Sequence, residues 1–172
     1  MICPACTYSN LEGADVCESC GHDLAEGTPS TELTPVADSL ALTPLRKVEA
    51  PAAIMVPPTA TLVEVVDRLV AGNVGCVLVV AKDRLVGIFS ERDLLMKAAH
   101  RYEELKNCPV RDFMTADPET LGPDATVAWA LNRMDVGGFR HIPIVENDRP
   151  IGLLSVKDLV RHLGATFLAQ SA

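Results

Sequence analysis

A shift of 65 residues lays the C-terminal two-thirds of this chain on itself without a gap. Identical pairs include Pro58/Pro123, Ala60/Ala125, Thr61/Thr126, Arg68/Arg133, Gly72/Gly137, Val80/Val145, Asp83/Asp148, Gly87/Gly152, Ser90/Ser155, Asp93/Asp158 and Leu94/Leu159. Other pairs keep the residue type, such as Leu62/Val127, Val79/Ile144 and Ile88/Leu153. A chain written twice must fold as two like units, each too small to bury its apolar face alone.

Each copy predicts the same order of elements. Thr61 and Thr126 are N-cap residues for helices through Leu69 and Met134. Gly72 and the pair Gly137-Gly138 are expected to stop them. Val77–Val80 and Ile142–Val145 read as apolar strands. Lys82-Asp83-Arg84 and Asn147-Asp148-Arg149 turn the chain into second strands over Leu85–Phe89 and Pro150–Leu154. Ser90 and Ser155 then open closing helices. The order helix–strand–strand–helix predicts an α/β (α+β) fold, with helices packed on one side of a small sheet.

The net charge of -8 is unevenly spread. Residues 1–45 carry seven acids and no Lys or Arg, whereas the remainder is nearly neutral. Binding through phosphates needs clustered cations, so the front third is a poor nucleic-acid surface. No apolar run approaches the ~20 residues that span a bilayer. The start does not read as a signal peptide, because Cys3 and Cys6 fall where a charged start and an apolar run belong. A cytoplasmic protein is the expectation.

Four of the six cysteines lie within the first 20 residues. Cys3-Pro4-Ala5-Cys6 and Cys17-Glu18-Ser19-Cys20 form two C-x-x-C knuckles. A two-residue spacer lets the chain turn so that both sulfurs face one point. Four thiolates suit tetrahedral zinc, and also iron of the rubredoxin kind. So small a segment has little core, and metal binding supplies most of its folding energy. A filled four-thiolate site keeps no open position, which makes the metal structural. Residues 25–44, rich in Pro, Thr, Ser and Ala, read as a linker. Cys76, set in an apolar run, reads as a buried small hydrophobe.

The front string Cys-Pro-x-Cys, Asn10, Gly13-Ala14, Cys-x-x-Cys-Gly and Leu24 resembles the short bacterial and archaeal zinc ribbons. Its Cys-x3-Asn-x6-Cys part is similar to the Ran-binding type of zinc finger, which has Trp where this chain has Met1. In the repeat, Gly138-Phe139-Arg140-His141-Ile142-Pro143-Ile144-Val145 resembles the central strand of the cystathionine β-synthase (CBS) domain. Gly87-Ile88-Phe89-Ser90-Glu91-Arg92-Asp93 and Gly152-Leu153-Leu154-Ser155-Val156-Lys157-Asp158 resemble its ligand signature. Val110-Arg111-Asp112-Phe113-Met114-Thr115 resembles the stretch that opens a repeat. The resemblance implies a module at residues 1–26, a linker at 27–44 and CBS domains at 45–106 and 107–172. It implies a homodimer that binds AMP, ADP, ATP, NAD or S-adenosylmethionine and regulates a partner protein.

Within that frame Ser-x-x-Asp has a chemical use. The Ser hydroxyl and the first helical amides favour a phosphate, and the Asp carboxylate accepts from both ribose hydroxyls. The same string is close to a capping box, which needs no ligand; its recurrence at both junctions favours the ligand. The resemblance implies nucleotide contacts from Ser90 and Asp93 in the first copy, and from Ser155 and Asp158 in the second. Arg140 and His141 are expected to give the Asp158 site its phosphate donors, where the first copy has Gly75 and Cys76. Lys157 and Arg92 add charge; Val74, Gly75, Phe139, Ile54 and Thr120 are expected to line the base pockets. The four ribbon thiolates are Cys3, Cys6, Cys17 and Cys20.

No nucleophile–base set and no Walker-type phosphate loop is present, so the sequence does not read as an enzyme. Two further readings stand beside the regulatory one: an iron-loaded rubredoxin-like electron carrier, and a zinc-ribbon adaptor for nucleic acid.

Overall fold

The computed structural model describes residues 1–3, 8–11, 13–19, 24 and 43–170. Cys6, Cys20 and the linker through residue 42 lie outside the described residues. The chain divides into two compact units that do not coincide with the two copies. One holds residues 50–121 and 141–154; the other holds 1–49, 122–140 and 155–172.

In the first unit, β1 (Met55–Val56) runs parallel to β2 (Cys76–Ala81), with Val56 opposite Val79. Between them lies α1 (Leu62–Gly72). Thr61 caps α1 through a full capping box with Glu64. The helix ends on Asn73 in the left-handed conformation (φ 47), so Gly72 is the last helical residue and not the stop. Its missing side chain serves packing instead, because a Cβ there would fall 2.6 Å from Ile54 Cδ1.

β2 turns into antiparallel β3 (Arg84–Ser90) through Lys82 and Asp83, both at positive φ. Two consecutive positive φ values give the hairpin turn whose twist matches its strands. Asn147 and Asp148 repeat it between β5 (His141–Glu146) and β6 (Arg149–Ser155). Each of these four strands extends one residue further at both ends than the apolar runs predict. The two hairpin tips exchange ion pairs, Arg84 with Asp148 and Arg149 with Asp83.

The core of this unit gathers Val56, Leu62, Val65, Leu69, Val77, Val79, Phe89 and Val110, all buried. After β3 come a single α-turn, α2 (Glu91–Asp93), a π turn over Leu94–Ala98, a 3-10 turn and α3 (Tyr102–Leu105). β4 (Thr115–Ala116) closes the sheet edge against β3, with Thr115 opposite Ile88.

The opening segments of the copies are exchanged. Pro109 bridges Thr61 at the start of α1, and Val110 N–H donates to Ala60 O at 2.7 Å. In the second unit Pro44 bridges Thr126 in the same way, and Leu45 N–H donates to Ala125 O at 2.8 Å. Thr126 caps α4 (Val127–Gly137) by accepting from Trp129 N–H, and Gly138 ends it at φ 64. The last helix is α5 (Val156–Gln170). No helix among the described residues is long and apolar enough to cross a membrane.

Candidate functional site

Both Ser-x-x-Asp strings form complete capping boxes. Ser90 N–H and Oγ–H donate to Asp93 Oδ2 at 2.9 and 2.7 Å, and Asp93 N–H donates back to Ser90 Oγ. Ser155 and Asp158 repeat all three bonds. The next amide is also spent: Glu91 N–H donates to Gly75 O at 3.0 Å, and Val156 N–H to Arg140 O at 3.1 Å. Two amides of each first turn are thus satisfied internally.

What the boxes leave over is Oδ1 of each aspartate, and here the copies part. Asp93 Oδ1 accepts from Thr115 Oγ–H at 3.1 Å and pairs with Lys97 Nζ at 2.7 Å. Among the described residues, Asp158 Oδ1 meets Arg161 Nη1 alone, at 3.2 Å. Both carboxylates are buried. Burial pushes the Asp93 carboxyl up, but the hydrogen bonds from Lys97 and Ser90 together outweigh it and hold it below the ordinary carboxylate range.

His141 stands at the first copy's junction. A Cβ on Gly75 would lie 3.1 Å from His141 Cε1, 3.2 Å from its Nε2 and 3.3 Å from Glu91 Oε2. The imidazole thus faces Gly75 and Glu91. Arg140, Lys157 and Arg92 are exposed, as is Thr120. Ile54 and Val74 pack on the core of their unit, and Ile54 O is taken by Leu78 N–H. Phe139 lays its ring over Gly137, where a Cβ would collide with it.

Lys97, Thr115 and Arg161 were not among the expected contacts. The i,i+4 and i,i+3 spacings of Lys97 and Arg161 from the aspartates were a usable signal. Thr115 had no local signal, since it reaches Asp93 only through the pairing of β4 with β3.

At the front, Cys3 and Cys17 are buried in one cluster against Leu24 and Trp129. Asn10 is buried too, donating from Nδ2 to Cys17 Sγ at 3.4 Å and accepting Glu18 N–H at Oδ1. An amide donor on sulfur is how an outer shell steadies a ligating thiolate, so these residues fit a four-thiolate metal. Among the described residues no group of three or more metal-binding side chains gathers.

Two junctions of one design, each with a buried serine-locked aspartate behind a hairpin, define a tandem α/β module. A profile of the CBS domain matches residues 45–100 and 110–165, and the chain belongs to the CBS-domain family as a tandem pair. An uncharacterized 17.7 kDa protein of Acidianus ambivalens is 35% identical over 111 residues, 63% of this chain and 66% of that one. The Arabidopsis thaliana protein CBSCBSPB5 is also 35% identical, over 60% of this chain and 19% of its own length. The chain therefore spans just under two-thirds of the first relative and about a fifth of the second. Among solved structures, the CBS-domain protein ATU1752 of Agrobacterium tumefaciens is 27% identical with a TM-score of 0.65, over 70% of this chain and 98% of that one. PAE2072 of Pyrobaculum aerophilum, solved with AMP, is 25% identical with a TM-score of 0.62, over 72% and 99%.

Proposed function

We propose that this protein is a regulatory sensor whose CBS pair binds an adenosine nucleotide (AMP, ADP or ATP, or NAD or S-adenosylmethionine) and passes its occupancy to a protein partner. The observation that carries the reading is the Asp158 carboxylate. It is buried, fixed by Ser155, and among the described residues keeps Oδ1 with a single partner, an exposed arginine. A carboxylate is acceptor-only and costly to bury without donors. The two hydroxyls of a ribose are donors of the right kind, and Arg140 and Lys157 are basic groups for a phosphate. The AMP held by the Pyrobaculum relative supports the ligand class. Nothing in this reading calls for a catalytic step: binding is the signal.

The reading gives Cys3, Cys6, Cys17 and Cys20 a structural zinc, with iron as the other metal the thiolates accept. Reduced thiolates belong in a reducing compartment, which supports a cytoplasmic location. It acts as a homodimer, with a ribbon at residues 1–26 and CBS domains at 45–106 and 107–172.

The test is thermal stability of the full chain with each nucleotide. A ligand at a hundred times its Kd stabilises by about 2.7 kcal/mol, which raises Tm by roughly 5–10 °C in a chain of this size. Asp158→Ala is expected to remove most of that rise. No rise with any of AMP, ATP, NAD or S-adenosylmethionine sinks the proposal.

A further inference from the structure

We propose that the first copy's aspartate is latched shut by Lys97 and Thr115, so that the chain takes its nucleotide at Asp158 alone, one per chain. The inference rests on the nucleotide reading above and adds to it which junction binds and what closes the other.

The argument is a count of donors and acceptors. In both copies Oδ2 of the aspartate is consumed by its serine. Only Oδ1 is left for a ribose. On Asp93 that atom already holds one hydroxyl donor and one ammonium, from Thr115 and Lys97. This is what two ribose hydroxyls would supply. Lys97 is not free to leave at small cost. Its Nζ also donates to Phe113 O at 2.8 Å and Met114 O at 3.4 Å, so its three N–H groups have three acceptors. It sits in the π turn over Leu94–Ala98, an irregularity that recurs at functional positions in helices.

Neither latch residue is duplicated. Sixty-five residues on from Lys97 stands His162, and sixty-five before Thr115 stands Ala50, which has no side-chain donor. Asp158 is left with Arg161, whose side chain is 65% exposed. An exposed guanidinium on one 3.2 Å contact is released readily. The low-lying ionisation of Asp93 agrees with a carboxylate already fully matched.

Calorimetric titration of the full chain with AMP and with ATP tests this. Wild type is expected to bind one nucleotide per chain, weakened about ten- to hundredfold by Asp158→Asn, the loss of a hydrogen bond to a charged group. Lys97→Met, and independently Thr115→Val, are expected to raise the stoichiometry to two. In the Lys97→Met background, Asp93→Asn should return it to one. Thr115→Val removes a single exposed hydroxyl, so it serves if the lysine variant does not fold. Two equal events in wild type overturn the latch, as does a single event whose affinity Asp158→Asn leaves unchanged. One event in wild type and in both single variants overturns the latch and leaves the nucleotide reading intact. No binding in any of the three overturns both.

Discussion

Asp93 and Asp158 stand in the same Ser-x-x-Asp spacing, at equivalent junctions, with the same serine lock, and differ in what faces one oxygen atom. The capping box and the ligand signature are therefore compatible: the box takes Oδ2, and on the proposed reading Oδ1 is the atom left for a ligand. This difference has a pH signature. The folded-state pKa of Asp93 is depressed by Lys97 and Ser90 against the opposing effect of burial, so ionised Asp93 contributes stability that is present above the unfolded value. That contribution is lost as pH falls through the folded value, below about pH 4. Thermal melts at stepped pH are expected to show wild type losing stability over this acid window, with a smaller loss in Lys97→Met; equal slopes would remove Lys97 as the cause. A second expectation concerns packing. Phe89 is fully buried at the centre of its core, and Phe89→Ala should cost about 3–5 kcal/mol in urea unfolding. Cys76 was legible from its apolar surroundings alone: it is buried, and burial pushes its thiol well above the ordinary range.

The hairpins were legible at the level of elements, because Lys82-Asp83 and Asn147-Asp148 are polar pairs between apolar runs, and both adopt the positive φ such a turn needs. The helix stops were half legible. Gly138 is a stop, but Gly72 is glycine to admit Ile54, and Asn73 takes the left-handed position. The exchange of opening segments was not legible. Pro109 at α1 and Pro44 at α4 meet partners far away in sequence, and no local periodicity encodes such pairing. That exchange is what brings Thr115 to Asp93, so the missed contact and the missed topology are one omission. The front segment is also packed rather than loosely tethered where it is described: Cys3, Cys17 and Leu24 pack with Trp129 of α4. Trp129 is the chain's one tryptophan, so its emission reports this contact directly. Removing the metal with a chelator is expected to expose the indole and shift its emission to the red, and Cys17→Ser should do the same without chelator. Unchanged emission in both would show that the metal does not hold this contact.

The whole molecule reads as a duplicated frame in which equivalence is kept where folding needs it and dropped around the Asp93 carboxylate. Hairpin turns, caps and exchanged prolines are matched between the copies; the latch lysine and threonine are not. The outer faces of the helices keep one more match. Leu95 is 67% exposed and Val160, its counterpart 65 residues on, is 62% exposed, with Met96 beside the first at 76%. A single exposed apolar side chain needs no explanation, whereas repeated exposure at equivalent positions marks a surface meant to be covered. On the homodimer reading, a self-complementary contact between two identical chains, the commonest closed homo-oligomer, covers Leu95 and Met96. Sedimentation of the full chain at micromolar concentration is expected to give a dimer. Leu95→Glu combined with Met96→Glu places two carboxylates on that face, at positions already open to water in the single chain, so folding is retained while association is lost. The double variant should sediment as a monomer with a far-ultraviolet spectrum like that of wild type. A wild-type chain that sediments as a monomer, or a double variant that stays dimeric, would remove these helices from the interface.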